Sequence, residues 1–162
     1  MSRLARRVAA LICVIGLAAA SVLTAGPAQA GTAPSSDCTT IRQRGPTVHV
    51  TDFSGLTIAS VKQFYGTCSG SQRNWSYVWI WDQAYTTWDI HVLSTGIRAE
   101  TSPGEWSADL GERSGGWNQQ EVKSYPTNTA YQCTKAYATI DIYHKASGYY
   151  MGFREGGTAR VC

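Results

Sequence analysis

After residue 30 the chain has no run of basic side chains, no Cys-x-x-Cys or paired Cys/His spacing, no Gly-rich phosphate loop and no sustained helical periodicity. Each absence removes a class of function. Of 14 Lys plus Arg, Arg3, Arg6 and Arg7 lie in the N-terminal segment, so the remainder balances the 11 Asp plus Glu at zero net charge. Electrostatic attraction to nucleic acid or to an anionic membrane then has no support. Without closely spaced Cys and His ligands a zinc site is not indicated, and no metal or cofactor is expected. The lack of a second long apolar stretch excludes a further helical membrane span.

What is present begins with an export signature. Arg3, Arg6 and Arg7 form a positive start, residues 8–25 are apolar, and Ala28-Gln29-Ala30 supplies a small-x-small cleavage site. A membrane anchor is the competing reading, but Gly26-Pro27 breaks the apolar helix just before that site. Residues 1–30 are read as a signal peptide cleaved after Ala30, residues 31–37 as a flexible leader and residues 38–162 as one β domain. The product is expected to be soluble and extracellular.

Cys13 leaves with the signal. Cys38, Cys68, Cys133 and Cys162 remain, an even count that in an exported chain predicts two disulfides. The segments 38–68 and 133–162 are similar in length, and each begins Cys-Thr with a Ser-Gly turn near its middle (Ser54-Gly55 and Ser147-Gly148). Residues equidistant from a hairpin turn lie opposite each other, which favours Cys38–Cys68 and Cys133–Cys162 among the three possible pairings.

Residues 74–92 hold four of the six tryptophans. Alternate positions carry Trp75, Tyr77, Trp79 and Trp81, and the intervening ones Ser76, Val78 and Ile80, a strand with one aromatic and one largely aliphatic face. Residues 85–93 read as its partner strand, with Trp88, Ile90 and Val92 on one face and Asp89 and His91 on the other. Residues 131–144 repeat the aromatic-against-aliphatic pattern, with Tyr137 and Tyr143 opposite Ala138, Ile140 and Ile142. Two strands of this kind are expected to shelter each other's faces. A phase slip between Ile58 and Val61 predicts a bulge, or a strand covered on both faces. Residues 98–118, rich in glycine and polar side chains, read as the longest irregular loop. The pattern predicts an all-β fold, an antiparallel sandwich or small barrel stapled by two disulfides.

For function, the aromatic surfaces lead. Trp and Tyr offer a flat apolar ring with a polar edge, suited to stacking on sugars or anchoring a protein interface. The binding candidates are Trp106 and Trp117 in the loop and Trp75, Tyr77, Trp79 and Trp81 on the strand. Tyr137, Tyr143, Tyr149 and Tyr150 come second. Catalysis has weaker signals: His49, His91 and His144 sit in no catalytic motif, although Asp89 and His91 share a strand face. Glu100, Glu105, Asp109 and Glu112 read as an acidic surface loop, since a glycosidase would need two of them opposed across a cleft.

The stretch from Thr47 to Ile80, with its glycine turn, the Tyr65-x-x-Cys68 end and an aromatic strand soon after, resembles a family of small actinobacterial secreted proteins with no assigned activity. The resemblance implies an exported β domain and transfers no catalytic residue. The expectation is a secreted, non-catalytic binding module whose partner is a polysaccharide or an extracellular protein. An inhibitor of an extracellular hydrolase is the alternative, and a small secreted hydrolase stands third.

Overall fold

A computed structural model describes residues 38–162; the signal and leader assigned above lie outside them. Ten strands form two antiparallel sheets. In the first sheet, β3 (Thr57–Cys68) and β4 (Ser71–Ile80) run in unbroken register, from Ala59 opposite Ile80 to Cys68 opposite Ser71. The other edge of β3 is shared by β1 (Cys38–Gln43) and β2 (Val48–Thr51), and β8 (Glu121–Lys123) borders β4. The second sheet is centred on β9 (Thr134–His144), paired with β5 (Trp88–Ser102) and β10 (Tyr149–Gly157). The outer edge of β5 carries the short β6 (Glu105–Trp106) and β7 (Leu110–Arg113).

The two sheets meet through their aliphatic faces. Val61, Val78 and Ile80 of the first pack with Ile90, Val92, Ile140 and Ile142 of the second in one buried cluster. Period-two alternation sends these side chains inward and leaves the opposite face of each sheet outside the sandwich. The sheets approach closely where β10 passes β2: a Cβ on Gly156 would lie 2.5 Å from Val50 Cγ2 and 2.9 Å from Val61 Cγ2.

Some polar side chains inside the sandwich are paired across it, which offsets the cost of their burial. Thr95 Oγ1 lies 2.7 Å from both the Ser76 hydroxyl and the Tyr137 carbonyl, and Gln63 Nε2 donates to Thr134 Oγ1 at 2.6 Å. Asp52 closes the β2–β3 turn and also ties it to the second sheet. Its Oδ1 accepts from the Ser54 and Leu56 amides, and its Oδ2 from the Trp88 indole at 2.9 Å.

Both cysteine-bounded hairpins close as their symmetry predicts, through Cys38–Cys68 and Cys133–Cys162. Cys38 faces Cys68 directly in the β1–β3 register.

Three expectations change, and one holds. Residues 85–93 do not pair with the tryptophan strand. A 3-10 turn at Asp82–Thr86 carries the chain into the other sheet, where β5 pairs with β9. Residues 98–118 are mostly strand: Ile97 and Ala99 keep the inward alternation, so β5 runs on to Ser102, and Gly104 (φ 84°) turns it into β6. The slip between Ile58 and Val61 meets both of its readings, since residues 58–64 are all buried with both faces covered, and the β2–β3 register skips Ile58 between Thr57 and Ala59. Finally, the aromatic faces of β4 and β9 do not shelter each other, because their aliphatic faces meet instead.

Candidate functional site

The outward face of the second sheet collects several exposed rings. Cross-strand register sets two adjacent rows: Asp89–Tyr143–Tyr150 and His91–Asp141–Phe153. Directly opposed side chains sit about 5 Å apart, close enough for rings to touch. Tyr143 and Tyr150 meet at 4.8 Å between centroids.

Trp117 joins this face from the segment after β7. Residues 115–118 lie along the free edge of β5: the Gly115 amide donates to the Val92 carbonyl at 2.9 Å, the Asn118 amide to Ile90 at 2.7 Å, and His91 bridges to Trp117. Asn118 holds a left-handed conformation (φ 52°), which asparagine tolerates better than most residues. Its Oδ1 accepts from the Ile90 amide and its Nδ2 donates to Asp89 Oδ1 at 3.0 Å. The indole of Trp117 is thereby set parallel to the His91 ring, at 5.0 Å and 23°, and edge-to-face with Tyr143, at 5.0 Å and 70°. His91 Nε2 lies 3.1 Å from the Gly115 carbonyl, which fixes the ring beneath the tryptophan.

The result is a continuous row, His91–Trp117–Tyr143–Tyr150, on which Trp117 is 57% and Tyr150 46% exposed. Carboxylates edge it. Tyr150 Oη donates to Asp141 Oδ1 at 3.1 Å, and partial desolvation together with this bond raises the phenol above its ordinary pKa. Beside the row, Asp89, Trp117, Asn118, Tyr143 and Gly148 line an open recess of about 280 Å³.

Further along the same face the surface is charged. Arg98 lies 4.5 Å over the Tyr137 ring and forms an ion pair with Asp109, while Lys135 lies 4.2 Å over Trp106. Desolvation pushes the Tyr137 phenol far up, and its ring is already covered on the outside. Trp106 is half-buried under Lys135 and belongs to this charged end rather than to the aromatic row.

The strand candidates occupy the outward face of the first sheet. Trp75 (0% exposed) and Tyr77 (1%) are buried in a second cluster with Phe64 and Cys68, flanked by Ile41, Cys38 and Trp79. Trp75 stacks on Phe64 at 6.1 Å and 18° and extends over Gly66, where a Cβ would lie 3.2 Å from its ring. Lys62 and Lys123 stand over Tyr77 at 5.9 and 5.8 Å. Trp75 and Tyr77 are therefore not surface contacts, a correction to the binding candidates. Trp79 and Trp81 are half-buried, and the Trp81 indole donates to Ser60 Oγ at 2.9 Å.

Among the described residues no histidine is hydrogen-bonded to a carboxylate: His49 meets Ser60, His91 the Gly115 carbonyl and His144 Ser147. Of the acidic cluster, Glu100 pairs with Arg160 and Asp109 with Arg98. Sequence reasoning singled out Trp117, Tyr143 and Tyr150 separately and missed that they form one row. The available signal was the outward pair Asp89 and His91, which marks the β5 face that Trp117 covers.

Comparison with protein-family models, with curated proteins and with solved structures found no match. Fold and site define the class: a disulfide-stapled β-sandwich that presents an aromatic row on one outer face.

Proposed function

We propose that the protein is a secreted, non-catalytic binding module whose ligand is a polysaccharide, held on the outer face of the second sheet. The contact row Trp117–Tyr143–Tyr150 carries this reading. A sugar ring has apolar C–H faces and hydroxyl edges. Exposed rings backed by a sheet would take the faces, and the flanking Asp89, Asn118 and Asp141 would accept or donate at the edges. The row is held by strand pairing and by the Asn118 bonds, so little side-chain freedom is lost on binding. Both disulfides agree with an extracellular site of action.

An inhibitor presenting residues 98–118 as a rigid exposed loop has less behind it, because β5, β6 and β7 take up much of that stretch. The deciding experiment is a tryptophan-fluorescence titration against soluble cell-wall and plant polysaccharides. A saturable change that disappears in Trp117→Ala is the expected result. No response across the panel would remove the polysaccharide reading.

A further inference from the structure

The recess beside the row has a chemistry of its own. Trp117 and Tyr143 stand at 70° and form a two-walled aromatic corner. Asp89 is the cross-strand neighbour of Tyr143 and lines the same recess, with Asn118 and Gly148 completing it. No Lys or Arg is among these lining residues. The nearby Lys145 ammonium is turned away, donating to the Tyr85 carbonyl at 3.0 Å. His91 stacks on Trp117 and makes its ring-nitrogen contact to the Gly115 carbonyl.

Ring faces carry negative potential and attract cations, and a carboxylate beside them adds a full negative charge. A second carboxylate, Asp141, lies one row further along the same face. An anionic ligand such as a uronic acid would meet two carboxylates and no facing cation at this end. An N-acetylated sugar would bring bulk but no charge to answer Asp89.

We infer that the corner of Trp117, Tyr143 and Asp89 binds the ammonium group of an amino sugar, so that the module prefers a deacetylated, cationic polysaccharide to its neutral or acetylated counterparts. This rests on the polysaccharide reading and narrows it. A polymer lying on Tyr143 and Tyr150 would bring a ring substituent over the recess, where the amine meets both ring faces and the carboxylate.

The test uses the disulfide-bonded protein and three defined probes of equal length: glucosamine, N-acetylglucosamine and glucose oligomers. Calorimetry and tryptophan fluorescence are recorded at a pH where the amine is protonated. The glucosamine oligomer is expected to bind about tenfold more tightly than the other two, the order of one partly exposed cation–aromatic and carboxylate contact. In Asp89→Asn, which keeps the acceptor for Asn118, that preference should fall several-fold. A thermal midpoint close to the parent's shows that the variant is folded, and Tyr143→Leu provides a second, charge-neutral probe of the corner. Equal affinity for all three oligomers overturns the inference and leaves the polysaccharide reading standing. Failure of every oligomer also overturns the inference, and silence across the wider polysaccharide panel is what overturns the reading beneath it. Binding of tetramethylammonium at Trp117 without binding of any oligomer assigns the corner to a free small cation and also overturns the amino-sugar proposal.

Discussion

Asp52 shows how much one side chain can hold in this fold. Its carboxylate is buried, which alone would raise its pKa, yet the bonds from Ser54, Trp88 and Leu56 outweigh desolvation and leave it below its ordinary value. A carboxyl depressed in the folded state contributes stability above its unfolded pKa, near 3.8, and loses it as pH falls through the lower folded value. Asp52→Ala is therefore expected to destabilise by about 1–3 kcal/mol at neutral pH, the cost of leaving the amides and the Trp88 indole unpaired. The difference from the parent should shrink below about pH 4, as chemical denaturation at several pH values would show. Trp117 belongs to function instead. With its ring more than half exposed, Trp117→Ala should leave the unfolding midpoint nearly unchanged while weakening glycan binding by at least about tenfold. A large drop in stability together with intact binding would contradict both assignments.

At the scale of elements, the two stapled hairpins and the close passage of β10 over β2 are the places to probe. Each disulfide closes a loop, spanning sequence separations of 30 and 29. Replacing Cys38 and Cys68 together by serine should cost about 3–4 kcal/mol on the chain-entropy model, read as a lowered urea midpoint. Gly156 is glycine because Val50 and Val61 occupy the space a side chain would need. Gly156→Ala should destabilise by about 1–3 kcal/mol through overpacking between the sheets. Trimming Val50 or Val61 in the same molecule should recover part of that loss, a coupling that a double-mutant cycle measures.

Over the whole molecule the tryptophans divide into sheltered and open sets. Trp75 is fully buried and Trp88 nearly so, Trp79, Trp81 and Trp106 are half-buried, and Trp117 is open. Acrylamide quenching should accordingly show a major protected fraction, and Trp117→Phe should remove most of the readily quenched emission. If the quenched fraction survives that substitution, the outer face of the first sheet is more open than its buried cluster implies.

Much of this was legible in the chain. Two-residue alternation, turn chemistry and the even cysteine count pointed to the all-β class, divided β4, β5 and β9 into an aromatic or polar face and an aliphatic one, and favoured the disulfide pairing that forms, because all of these depend on local geometry and symmetric spacing. Which strands become neighbours did not follow. Period two says which residues share a face, not whether that face meets the other sheet, and the chain crosses between sheets at Asp82–Thr86 without a pattern that announces it. Nor could composition tell that 98–118 is largely strand, since an outward face of Arg98 and Glu100 looks as polar as a loop while Ile97 and Ala99 keep the ladder. The candidate site was legible as separate residues. Trp117, Tyr143 and Tyr150 come from three parts of the chain, and only β5–β9–β10 register and the Asn118 bonds to β5 bring their rings into one row. Local periodicity thus determined the faces; long-range pairing, which depends on how whole sheets bury their aliphatic sides, decided which aromatic face was left with a row of open rings.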